Sequence, residues 1–129
     1  MTTFLLVLVF GVLGVSLRYF ALQITHSWGA EASIYTIFMC NLLGCFAIGA
    51  LFSFKSINPA VTHSLVLAVG VGLLGGFTTF STYSWDTLRL LMNGEWGKAV
   101  LYFVASPITG LLSCWLGFQT VKWVGSISG

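Results

Sequence analysis

The groups in this chain that could do chemistry are almost all uncharged. Between Gly70 and Asp86 the run GVGLLGGFTTFSTYSWD places four glycines ahead of Thr78, Thr79, Ser81, Thr82 and Ser84, with Phe80 and Tyr83 set among the hydroxyls. Asn41 stands near the middle of another apolar run, and Tyr102, Ser106, Thr109, Ser113 and Gly117 recur at spacings of four, three, four and four, one face of a helix. Hydroxyls and a carboxamide offer hydrogen bonds without net charge, the amide alone carrying two donors. They can solvate an ion or tie helices together. Covalent catalysis is not indicated: there is no Ser/His/Asp arrangement and no carboxylate pair, and His26 and His63 fall in a loop or at a helix end, where solvation is the ordinary state. Cys40, Cys45 and Cys114 lie inside apolar runs without CxxC or His-paired spacing, so neither a zinc site nor a disulfide framework is indicated.

The elements that must position these groups are membrane helices. With 57% hydrophobic and only 6% charged residues in 129, the chain is too apolar for a soluble domain of this size. Four apolar runs, at about 3–24, 33–54, 62–92 and 99–124, are each long enough to cross a hydrocarbon core of about 30 Å. Polar connections separate them, one punctuated by Pro59. The first run is expected to remain in place: nothing basic precedes it and it exceeds the ~7–15 residues of a signal core.

The third run is too long. At about 1.5 Å per residue it would measure about 46 Å as one helix, and its Gly/Thr/Ser cluster is poor helix material. The expectation is a broken helix, interrupted near 75–79. Backbone freed there must be buried in protein or line a watery or ionic cavity, because an unpaired amide in hydrocarbon costs several kcal/mol. Gly72 and Gly76, four apart, suit a close helix contact.

Individual side chains leave alternatives open at this level. Arg18 is either a snorkelling anchor or a cation at a vestibule. Asn41 shares a face with Gly44, Cys45 and Ile48, and is either interhelical glue or a pore-lining amide. The fourth-run stripe faces inward either as a polar path or as small-residue packing. Pro107 leaves the carbonyl of Phe103 without its usual donor. Asp86 and Arg89, at i and i+3, are expected to pair near an interface, and Trp123 to anchor the chain's end at one.

Charge bears on assembly. A formal net charge of +2 with no basic run excludes a nucleic-acid surface. With the N-terminus inside, Lys55 and Lys122 fall on the cytoplasmic side and Arg18, Arg89 and Lys98 on the other, so the positive-inside bias is almost nil. Such a chain can insert both ways, and four short helices leave little room for a polar path within one subunit. A two-fold antiparallel homodimer surrounded by membrane lipid is the expectation.

Three motifs carry a resemblance: Gly11, Gly14, Arg18 and Tyr19 as GxxGxxxRY, the Asn41-Leu-Leu-Gly44 stretch, and above all GGFTTFSTYS from Gly75 to Ser84. In length, helix number and motif order the chain resembles the Fluc, or CrcB-type, fluoride channels. The resemblance implies a dual-topology homodimer in a bacterial plasma membrane, with crossed helix breaks at its centre and two fluoride pathways at the subunit interface. It also implies a structural sodium ion at that centre, held by the backbone carbonyls of Gly75 and Thr78 from each subunit. Asn41 matches the pore asparagine, Phe80 the first of two paired aromatics, Arg18 the first-helix arginine, and Tyr102 and Ser106 the polar fourth-helix positions. Three positions depart: Tyr83 stands where the second phenylalanine is usual, Ile37 where a threonine is usual, and Gly110 where a further serine is usual, with Thr109 or Ser113 as substitutes. These departures leave open a pair with a sister subunit. A tyrosine keeps the electropositive ring edge, so Tyr83→Phe is expected to preserve conduction.

Residue chemistry agrees with that implication. A small, strongly hydrated anion needs many neutral donors, whereas full positive charges in a narrow pore would hold it too tightly to release. Asn41, Thr79, Ser81, Ser84 and Ser106, with the ring edges, supply such donors. Flow would be passive: hydrogen fluoride enters as a neutral acid, dissociates in the cytosol, and the anion leaves down its electrochemical gradient. The alternative is a small dual-topology multidrug antiporter, which would need a membrane-embedded carboxylate to exchange protons for a cationic drug; the first helix has none.

Overall fold

The computed structural model describes residues 1–29 and 31–127, and every regular element among them is helical. Four segments are long and apolar enough to cross a membrane: Thr2–His26, Ala32–Ile57, His63–Met92 and Trp96–Ile127. Large apolar side chains point outward along all of them, as with Phe20 at 61% exposed, Phe52 at 52%, Leu101 at 68% and Leu111 at 73%. Water would not tolerate such a surface, whereas lipid tails cover it at no cost. The chain is an all-α, multi-pass membrane protein.

Without a hydrophobic drive between helices, close packing must hold them together, and here it does so through small residues. Successive spans alternate in direction, so the first and third run the same way, as do the second and fourth, and each pair packs along its length. In the second pair the approach is backbone to backbone: a Cβ on Gly49 would strike the Cys114 carbonyl, and one on Gly117 the Phe46 carbonyl. Ser113 adds a hydrogen bond to the Leu42 carbonyl at 2.9 Å. In the first pair Gly14 lies against the Leu73 carbonyl and Gly72 against that of Val7. The Thr3 and Ser64 hydroxyls meet at 2.8 Å near the start of these helices.

The third span is not uniform. A turn of α-helix, His63–Leu67, widens into a π-helix over Ala68–Leu74 and narrows again over Gly75–Phe77. The backbone then leaves the helix for two extended residues, Thr78 (φ −84°, ψ 159°) and Thr79 (φ −153°, ψ 124°). A second helical half, Phe80–Met92, starts with Thr79 as its cap, the hydroxyl accepting the Thr82 N–H at 3.3 Å. That half ends in a Schellman turn, with Gly94 at φ 76° and the Glu95 N–H on the Leu90 carbonyl at 2.9 Å.

The chain's three acidic residues gather at one end of the bundle with two of its five cations. Lys98 pairs with Glu31 and, at 2.7 Å, with Glu95. Arg89 donates to Asp86 at 3.0 Å and to the Ser33 hydroxyl at 3.2 Å. Asp86 itself is only 3% exposed, deeper than its place near a helix end suggested. At the opposite end Ile57 lies beside Gly125, which puts Lys55 and Lys122 at the same end of the bundle.

Candidate functional site

Where the third span leaves the helix, its lost backbone bonds are redistributed to side chains. In a continuous helix the Thr79 N–H would serve the Gly75 carbonyl; it donates instead to Asn41 Oδ1 at 2.8 Å. The Thr82 N–H would serve the Thr78 carbonyl and goes to the Thr79 hydroxyl. Asn41 completes the exchange by donating from Nδ2 to the Thr79 carbonyl at 3.1 Å. One asparagine thus grips both backbone groups of Thr79, as a neighbouring strand would. The Arg18 Nε–H donates to the Gly76 carbonyl at 3.1 Å, whose helical donor the interruption also removes. Asn41 and Arg18 hold the interrupted segment from two sides, and the carbonyls of Gly75 and Thr78 are left without the donors a continuous helix would supply.

Beside this segment runs an open groove of about 740 Å³ between the second, third and fourth helices. Asn41, Gly75, Thr78, Thr79, Phe80, Tyr83 and Ser106 line it, with an apolar wall from Ile48, Leu74, Phe103, Val104 and Ile108. No charged side chain among the described residues does so. Phe80 is 79% exposed, its ring 5.5 Å from that of Tyr83. Tyr83, by contrast, is buried against the rings of Tyr102 and Phe103, and its hydroxyl donates to the Phe103 carbonyl at 2.8 Å. The Ser106 Oγ is buried with no hydrogen-bond partner among the described residues.

Other residues named from the sequence lie off the groove. Tyr102 stands behind Tyr83 in the apolar cluster with Ile34, Ile37, Leu90 and Ala99, its hydroxyl also buried and without a partner among the described residues. Ser81 bonds to the Thr79 hydroxyl at 3.1 Å and Ser84 to the Phe80 carbonyl at 2.9 Å, both on the exposed side of the second half. Arg18 reaches the interruption from the far side. Thr109 and Ser113 do not reach the groove either: Thr109 turns back to the Ala105 carbonyl at 2.7 Å, and Ser113 is spent on the second helix. Ile37 is fully buried, so a hydroxyl at that position would have entered an apolar cluster. Sequence reasoning missed the π-helical turn that brings Gly70 and Leu74 to the groove, and the anchorage of Arg18 on a carbonyl. A glycine-rich stretch long enough to be irregular was the only signal for the first; none existed for the second.

The arrangement can present amide, hydroxyl and ring-edge groups to an ion while keeping full charges out of reach. Comparison with known proteins agrees in kind. The family model described as "CrcB-like protein, Camphor Resistance (CrcB)" matches residues 5–118. A protein of Thermus thermophilus named "Fluoride-specific ion channel FluC" is 44% identical over 117 residues, 90% of this chain and 91% of that one. Proteins of the same name from Chloroflexus aurantiacus, 38% identical over 114 residues (88% and 90%), and Geotalea uraniireducens, 37% over 122 residues (95% and 98%), align at similar length. A matching family model over most of the sequence, with such relatives aligned nearly end to end, makes this chain a member of the CrcB-like family.

Proposed function

We propose that this chain is one subunit of a passive, fluoride-selective channel that lets the anion out of the cytoplasm across the bacterial plasma membrane. The observation that carries the reading is the uncharged groove beside the interrupted third span, lined by Asn41, Thr79, Ser106 and the rings of Phe80 and Tyr83. Fluoride loses much of its hydration in a narrow path, and closely spaced neutral donors replace it while still allowing release. Asn41 keeps one amide hydrogen free after gripping Thr79, and the Ser106 hydroxyl has no competing partner among the described residues. Conduction of this kind makes and breaks no covalent bond.

The groove is open on one side, and Phe80 and Gly75 are exposed on that side. A second, inverted copy is the proposed cover, giving an antiparallel homodimer with two pathways. The carbonyls of Gly75 and Thr78 suit a hard monovalent cation, because two oxygens on adjacent turns have lost their helical donors. Sodium bound by these carbonyls from both copies would supply a fixed positive charge that holds the crossed segments together. Asp86, the carboxylate an antiporter would need, is balanced by Arg89 and lies off the groove. The test is ion efflux from liposomes holding the purified protein. Fluoride efflux with little chloride efflux is expected; proton-coupled uptake of cationic dyes without fluoride efflux rejects the reading.

A further inference from the structure

One backbone carbonyl joins two residues from different helices. Proline lacks the N–H that would reach back four residues, so Pro107 leaves the Phe103 oxygen without its helical donor. The Tyr83 hydroxyl, from the third span, donates to that oxygen at 2.8 Å. Its ring lies parallel to Phe103, 6.5 Å between centroids and 11° between planes, and against Tyr102 at 5.2 Å. The phenol is held by both rings, and its hydroxyl proton is committed. Tyr83, Phe103 and Pro107 all line the groove.

We propose that the Tyr83 hydroxyl is a latch matched to Pro107: it supplies the donor the proline lacks, masks the Phe103 carbonyl from the anion's route, and fixes the Phe80–Tyr83 ring pair against the fourth helix. An uncovered carbonyl turns the negative end of its dipole into the groove, where low polarity strengthens its repulsion of an anion. A phenylalanine at position 83 has the same ring edge but cannot cover that oxygen. Tyr83 is on this account a positioning residue, and the expectation that Tyr83→Phe preserves conduction is replaced by its opposite. Where residue 107 carries an N–H, the helix covers its own carbonyl and the hydroxyl has no task.

The test is a double-mutant cycle on the full chain: wild type, Tyr83→Phe, Pro107→Ala and the double variant, each measured for fluoride efflux from liposomes and for melting midpoint in detergent. Tyr83→Phe is expected to slow efflux on the order of tenfold and to lower the midpoint. Made in the Pro107→Ala background, the same change should cost several-fold less in both readouts, because the N–H restored by that substitution serves the Phe103 carbonyl. Equal losses in both backgrounds, or no loss in either, overturn the latch. Should Tyr83→Phe alone fail to fold, the double variant must recover folding, and its failure also overturns the latch. The efflux arm rests on the channel reading and the melting arm does not: a wild type without fluoride efflux rejects the channel, while coupled midpoints still decide the latch.

Discussion

Asn41 and Ser106 line the same groove but are held differently, and the difference separates their mutants. From the sequence Asn41 could be glue or a donor to an ion, since an amide in mid-membrane serves either way. Its two bonds to Thr79 make it a clamp on the interrupted segment, with one hydrogen to spare. Asn41→Ala is therefore expected to abolish fluoride efflux and to lower thermal stability by about 1–3 kcal/mol, because two partly buried backbone groups lose their partners. Ser106→Ala removes a hydroxyl that bonds to nothing among the described residues. It should slow efflux several-fold with no loss of stability in a detergent melt; a falling midpoint would mean that Ser106 supports the fold.

Among the elements, the apolar runs that became helices were legible because length and hydropathy leave a lipid-facing segment few other structures. Gly72 and Gly76 signalled a close contact by their spacing, and the first helix does pack against them. The Gly49–Gly117 approach was not legible, because spacing within one helix says nothing about the register of its partner. Nor was the division of the third span between π-helical glycines and extended threonines: its local preferences are weak, and packing against the first helix and Asn41 decides them. Gly117→Ala would set a methyl against the Phe46 carbonyl, forcing the second and fourth helices apart. A loss of about 1–3 kcal/mol is expected, read as a lower melting midpoint. Gly97→Ala, at a position with nothing within 4 Å, should be neutral or slightly stabilising. Equal costs at both sites would contradict the contact.

For the whole molecule, the topology read from the sequence puts Glu31, Asp86 and Glu95 on one side of the membrane but does not gather them into one cluster. They converge only when the starts of the second and fourth helices and the end of the third meet, a tertiary fact. The proposed inverted pair predicts that a single cysteine placed at Gly97, with Cys40, Cys45 and Cys114 replaced, will react with an impermeant thiol reagent from both faces of sealed vesicles in similar amounts. Labelling from one face alone would exclude dual topology and with it the paired pathways.

One pole carries Glu31, Asp86 and Glu95 with Arg89 and Lys98, and the other Lys55 and Lys122 without an acid, so the chain has an electrical polarity along the membrane normal. Side by side in the same sense, two such subunits would add their moments, and the resting voltage would favour one insertion over the other. Head to tail they cancel. The proposed inverted pair would then have no preferred sense in an electric field, and an ion would meet the same sequence of potentials from either side of the bilayer.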